Sequence, residues 1–242
     1  MHIDNLSVVI PAFNEATRIQ KTVTRIRNYL KQCCKHFEII VIDDGSGDGT
    51  ASVLKETVGG LQEIRILHNT KNVGKGYSIK KGVLLSEGNV ILICDADLSA
   101  PIEEIEKLIS WLDKGYDIAI GSRGLKDSDI AIRQPWYRER MGRFFNVLVR
   151  LLFFGGIKDT QCGFKAFRAD VARQIFRKSR ITGFSFDVEI LFISRLKGFG
   201  IKEVPIRWAH SPDSKIRLFR DSVKMFFDLL KIRFYHVCGA YK

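Results

Sequence analysis

The first half of the chain alternates short apolar runs with longer amphipathic stretches. Leu6-Ser7-Val8-Val9-Ile10, Phe37-Glu38-Ile39-Ile40-Val41-Ile42 and Val90-Ile91-Leu92-Ile93-Cys94 are short, rich in β-branched residues and almost continuously hydrophobic. That pattern belongs to strands covered on both faces of a parallel sheet. Between them the spacing becomes helical. Helices are expected over 15–32, 49–57 and 76–86, and further strands at 63–68 and 116–120. Ser99 and Pro101 form a cap and first-turn pair for a helix after the 90–94 strand. Repeated strand–helix units imply an α/β fold with right-handed crossovers.

The second half breaks this rhythm. Residues 130–134 read as a loop and 136–154 as a helix, in which Arg138, Arg140, Arg143 and Arg150 stand among aromatic and aliphatic residues. A final helix over 218–237 mixes Arg220, Lys224, Lys231 and Arg233 with Met225, Phe226, Phe227, Leu229 and Leu230. Such helices either bury an apolar face in the core or lie in a bilayer interface with their cations on headgroups. Two apolar clusters around a single Arg150 favour membrane contact for 136–154; for the last helix the two readings balance. No run reaches the ~18 apolar residues of a membrane-spanning helix.

Candidate chemistry sits at strand ends. The three runs are followed by Pro11-Ala12-Phe13-Asn14-Glu15, by Asp43-Asp44-Gly45-Ser46-Gly47-Asp48-Gly49-Thr50 and by Asp95-Ala96-Asp97. Open α/β sheets bind ligands beyond the carboxyl ends of their strands. Asp95 and Asp97, one residue apart, offer hard oxygen ligands suited to Mg²⁺ or Mn²⁺, ions that keep waters and take phosphate oxygens from a substrate. Ordinary turns capped by aspartates are the competing reading. Adjacent Asp43 and Asp44 weigh against it, because like charges kept together usually serve a cation or a donor-rich ligand.

Composition narrows the partners. A chain of 242 residues suits one large domain. The net charge of +12, from 39 Lys and Arg against 27 Asp and Glu, calls for an anionic partner: a nucleic acid, an acidic membrane or phosphorylated substrates. There is no recognisable nucleic-acid motif, and the basic residues alternate with long apolar runs, which suits lipid better. The 5 cysteines lack zinc-like spacing and fit a reduced, cytoplasmic setting; no signal peptide is expected.

Taken in order, the three strand-end segments together with Asn72-Val73-Gly74-Lys75-Gly76 resemble the motif set of the family 2 glycosyltransferases of the GT-A fold. Gly121-Ser122-Arg123, Asp159-Thr160-Gln161-Cys162-Gly163-Phe164-Lys165 and Phe186-Asp187-Val188-Glu189 are similar to the polyprenyl-phosphate branch, most of all the dolichyl-phosphate β-glucosyltransferases, with the mannose synthases as cousins. The likeness runs from about residue 6 to about residue 235. It implies a mostly parallel central sheet flanked by helices, in a single domain over 1–242. Residues 1–125 would bind the nucleotide sugar, and 126–242 would face acceptor and membrane, peripherally on the cytoplasmic side.

The resemblance implies roles as well. Pro11, Ala12, Phe13, Glu15, Asp43, Asp44 and Ala96 would line the donor pocket, with Asp44 on base or ribose hydroxyls. Asp97 and Asp95 would hold the metal, and Lys75 would reach a donor phosphate. A hydroxyl acceptor needs a general base, whereas a lipid phosphate is already anionic and needs cations instead. Arg123 leads as that cation because arginine grips phosphate bidentately; Arg138, Arg140 and Lys215 follow. Gln161 and Asp187 are weaker members of the site, Asp187 also being explained by the favourable start of a helix. The 211–215 loop reads as a lid. Mannose synthases carry Gln where Ser99 stands, and an Arg where Trp208, Ala209 and His210 stand. Both departures weaken a GDP-mannose assignment; UDP-glucose is the expected donor, with the sugar left open. Gln134-Pro135-Trp136-Tyr137-Arg138 is not the Gln-x-x-Arg-Trp motif of processive synthases, so a single transfer is expected. A mannosyltransferase, an enzyme using a hydroxyl acceptor, and a non-catalytic lipid or nucleic-acid-binding module are the alternatives.

Overall fold

The computed structural model describes residues 3–153, 155–211 and 218–242, without the side chains of Ile3, Arg138, Arg143, Leu218 and Phe219. The elements run β1 (Ile3–Ala12), α1 (Ile19–Cys33), β2 (Cys34–Asp43), α2 (Thr50–Val58), β3 (Ile64–His68), α3 (Lys75–Leu85), β4 (Val90–Cys94), a 3₁₀ turn (Ile102–Glu104), α4 (Ile105–Asp113) and β5 (Ile118–Ser122). They continue β6 (Asp129–Ile132), α5 (Trp136–Leu152), β7 (Phe164–Arg168), α6 (Ala169–Lys178), α7 (Phe186–Leu196), β8 (Ile201–Pro205), β9 (Arg207–Ala209) and α8 (Leu218–Val237).

Seven strands form one sheet in the order β3-β2-β1-β4-β7-β5-β8. All neighbours are parallel except β7, which runs antiparallel between β4 and β5. Strand alternation divides the core. Val8, Ile10, Ile39, Val41 and Leu92 meet α1, α2 and α4 on one face. Val9, Ile40, Ile42, Ile91 and Ile93 meet α3, α6, α7 and α8 on the other. Both layers are apolar, which is why the strands read as continuous runs.

Two parts of the second half depart from expectation. Residues 130–134 are not all loop: β6 pairs in parallel with β9, matching Asp129 with Arg207 and Ile130 with Trp208. A strand this short, mostly exposed and partnered far along the chain, leaves no local period to detect. β7 also escapes the periodicity, because Lys165 sits in the middle of a fully buried stretch.

Helix α5 divides its apolar residues between core and surface. Val149 is buried, and Phe145, Leu148, Leu152 and Phe153 pack on the core. Phe144 (65% exposed) and Leu151 (78%) point away from it. Among the described residues no helix is long and apolar enough to cross a membrane.

Candidate active site

The ends of β1, β2 and β4 lie side by side, with Ala12 in register with Asp43 and Val9 with Ile93. The first two turns interlock. Asn14 N donates to Ser46 Oγ (2.9 Å), Gly47 N to Asn14 Oδ1 (2.9 Å), Glu15 N to Thr50 Oγ1 (2.8 Å) and Ala16 N to Asp48 Oδ2 (3.1 Å). Asn14 (φ 56°) and Leu98 (φ 48°) are the non-glycine residues held in the left-handed region among those described, one after β1 and one after Asp97. Such backbone strain gathers at functional sites.

Each predicted donor-site residue can now be placed. Pro11 and Phe13 are half-buried, and Ala12 and Ala96 are buried at the strand ends. The Glu15 carboxylate turns to the Arg18 guanidinium. Asp43 Oδ1 accepts from Ser46 N at 3.1 Å and so closes its own turn. Asp44, expected on base or ribose hydroxyls, here accepts from Gly74 N (2.8 Å), Val73 N (3.1 Å) and Asn69 Nδ2 (2.8 Å). It pins the turn that precedes Lys75. That turn also needs Gly74: its φ is 118°, and a β-carbon there would lie 2.4 Å from the Thr182 carbonyl oxygen.

The pinned turn delivers Lys75 to the paired carboxylates, with its Nζ 2.6 Å from Asp95 Oδ1. Burial pulls the Lys75 pKa down, but Asp95, helped by Asp187 and Asp97, more than offsets this and holds the ammonium above the usual lysine range. Thr22 Oγ1 donates to the Ala96 carbonyl at 2.7 Å, and Ser99 N to Asp97 Oδ1 at 3.0 Å. Behind Asp95 there is room only for glycine: a β-carbon on Gly163 would stand 1.9 Å from Asp95 Oδ2.

A buried and a half-buried ion pair back this edge. Lys165 Nζ lies 2.5 Å from Asp187 Oδ1 and also donates to the Cys162 carbonyl. Burial raises the Asp187 pKa, and the neighbouring Lys165 and Lys75 reverse only part of that rise. Arg123 Nε and Nη2 donate to Asp159 Oδ2 (2.7 Å) and Oδ1 (2.8 Å), while its guanidinium lies 5.2 Å over the Trp208 ring. Burial opposes the Asp159 charge, but Arg123 outweighs it and keeps the carboxyl below the usual range. Gln161 N donates weakly to the same carboxylate at 3.3 Å.

Of the acceptor candidates, Arg123 therefore enters already clamped, and Arg140 stacks 5.3 Å over Trp136. The Arg138 side chain, Lys215 and most of the 211–215 loop lie outside the described residues. Asp159 and Lys165 stand in the 159–165 motif, yet neither was among the expected site residues. Their signal was present, but the partner of each lies 36 or 22 residues away.

The donor set fits a hard divalent cation. Two carboxylates are a common protein share for Mg²⁺ at a phosphate site, with water and phosphate oxygens completing the shell. Among the described residues no group of three or more His, Cys, Asp or Glu is placed to hold an ion.

The profile of glycosyl transferase family 2 matches residues 7–176. A protein named dolichyl-phosphate beta-glucosyltransferase from Dictyostelium discoideum is 36% identical over 99% of this chain and 78% of its own length. Its namesake from Saccharomyces cerevisiae is 35% identical over 98% and 76%. Among solved structures, glucosyl-3-phosphoglycerate synthase of Mycobacterium tuberculosis, bound to Mn²⁺, UDP and glucosyl-3-phosphoglycerate, superimposes with a TM-score of 0.70 at 19% identity, covering 94% of this chain and 79% of that one. With its paired aspartates at the carboxyl edge of a GT-A sheet, the chain belongs to glycosyl transferase family 2 and is related along almost its whole length to the dolichyl-phosphate β-glucosyltransferases.

Proposed function

We propose that this protein transfers glucose from UDP-glucose to the phosphate of a dolichyl-type polyprenyl lipid, with inversion, giving a β-linked lipid-phosphate sugar. The names of its relatives support glucose and dolichyl phosphate. Ser99 and the Trp208-Ala209-His210 segment weigh against GDP-mannose. The observation that carries the acceptor class is the state of Asp187. This carboxylate, the neighbour best suited to be a base, is 4% exposed and held by Lys165. A hydroxyl acceptor would need that base; a phosphate would not.

Asp95 and Asp97 would hold Mg²⁺ or Mn²⁺, which supplies Lewis-acid neutralisation of the departing diphosphate. Lys75 adds a fixed positive charge at the same edge, where charge builds in the transition state. Asp159 occupies the Nε–Nη2 edge of Arg123, so the Nη1 edge is the one offered to the acceptor phosphate. A phosphate oxygen of the lipid attacks the anomeric carbon. The bond to the diphosphate oxygen breaks, and its electron pair leaves with UDP. No proton moves, and the α-linked donor yields the β product. Peripheral contact with the cytoplasmic leaflet, through the exposed apolar residues of α5 and α8, brings the site to its lipid.

The test is radiolabelled transfer from UDP-glucose into organic-extractable polyprenyl phosphate, with Mg²⁺, Mn²⁺ or excess chelator. Asp97→Ala is expected to lower the rate on the order of 10²–10³-fold and to weaken Mn²⁺ binding seen by electron paramagnetic resonance. Labelling from GDP-mannose instead would reassign the sugar. No labelling from any donor, with nucleotide binding intact, would move the acceptor to a hydroxyl or the chain to a silent binding module.

A further inference from the structure

Helix α8 buries Met225, Leu229 and Ile232 and exposes Val223, Phe226, Phe227, Leu230, Phe234 and Val237. At helical spacing those six fall in one stripe about 100° wide. Lys224 and Lys231 border it on the side that carries Tyr235. On that side Lys224 reaches the 179–183 turn, where a β-carbon on Gly183 would stand 3.7 Å from its Nζ. Past the turn lies a groove of about 660 Å³ between α3, the end of α6 and the end of α8, lined by Tyr77, Lys80, Arg177, Lys178, Arg180 and Tyr235.

None of these residues belongs to the Asp95 edge. Arg180 lies 5.5 Å over the Tyr235 ring, and Lys80 Nζ donates to the Ser179 carbonyl at 2.6 Å. Arg177 has no hydrogen-bond or ion-pair partner among the described residues. The nearby carboxylates are committed. Glu189, beneath the groove, accepts from Arg180 N (2.9 Å), Ile181 N (2.8 Å) and Tyr241 Oη (2.7 Å), and Asp228 stands 3.3 Å from Lys231.

We infer that this groove receives the phosphate headgroup of an anionic phospholipid while the α8 stripe enters the same leaflet. The inference rests on the peripheral membrane contact proposed above and names the lipid that fixes its orientation. Lys80 and, through a 2.6 Å bond to the Lys242 oxygen, Lys178 are already held at the rim, so Arg177 and Arg180 are the cations that meet the phosphate, and an arginine fork binds it bidentately. The apolar stripe beside them selects a lipid over a free anion. The layer of α3, α6 and α8 then faces the membrane, and the layer of α1, α2 and α4 faces water.

Flotation of the full chain with vesicles of phosphatidylcholine, alone or with phosphatidylserine, tests it. Wild type is expected to float preferentially with the anionic vesicles. Arg177→Gln/Arg180→Gln is expected to lower that partitioning on the order of tenfold, and single Arg177→Gln by less. The equal-charge control Lys21→Gln/Lys55→Gln, on the opposite layer, should change it less than about twofold. Equal losses in both double variants would replace the groove by a diffuse field. Equal flotation on neutral vesicles, or displacement by millimolar inorganic phosphate at matched ionic strength, would overturn the headgroup site. Transfer in detergent micelles separates the two readings: Arg177→Gln/Arg180→Gln should keep full transfer there, and absence of transfer by the wild type would leave the flotation result standing.

Discussion

Two lysine–aspartate pairs stand close together at this site, and they do different work. Lys75 and Asp95 meet at 2.6 Å with their side chains 21% and 34% exposed. Lys165 and Asp187 meet at 2.5 Å with 1% and 6%. The first pair is only partly buried and stays open to solvent on one side, so its partners can exchange each other for a substrate oxygen or a cation more cheaply than a sealed pair could. The second pair is sealed, and removing either member strands a charge in the core. Like chemistry at nearly the same distance therefore leaves an exchangeable pair in one place and a sealed brace in the other.

Lys165→Met carries the largest expected effect. It should destabilise the fold by about 3–5 kcal/mol by leaving Asp187 unpaired, read from urea midpoints, and Lys165→Met/Asp187→Leu should recover much of the loss. Gly163→Ala comes next. The added methyl must displace the Asp95 carboxylate, costing about 1–3 kcal/mol of stability and at least about tenfold in transfer. Lys75→Ala should reverse the balance: stability within about 1 kcal/mol of wild type, but transfer lower by about 10–100-fold. Comparable destabilisation by Lys75→Ala and Lys165→Met would erase the distinction.

Acid titration gives the smallest effect and sharpens the sign. Asp159 is held below the usual carboxylate range, so its contribution is complete above the unfolded value of about 3.9 and is lost as pH falls through the folded value. Asp159→Asn should thus be less stable near neutrality and fall less steeply below about pH 4 in urea melts. Asp187 is shifted the other way by burial, so its contribution is greatest below the ordinary carboxylate value and is lost as pH rises through the folded one.

The strands β1, β2 and β4, their acidic ends, the intervening helices and the span of α8 were all determined by the sequence alone. Hydrophobic period and turn chemistry are local, and a strand covered on both faces announces itself within five residues. The position of the paired aspartates at the carboxyl edge follows from the same pattern. Only the tertiary structure decided that β7 enters antiparallel with Lys165 inside it, that β6 finds β9, that Asp44 spends its oxygens on the turn before Lys75, and that Arg123 belongs to Asp159. A charged side chain carries no mark of its partner in its neighbours along the chain. Which acid meets which base, and whether water reaches them, is settled when residues tens of positions apart are packed together.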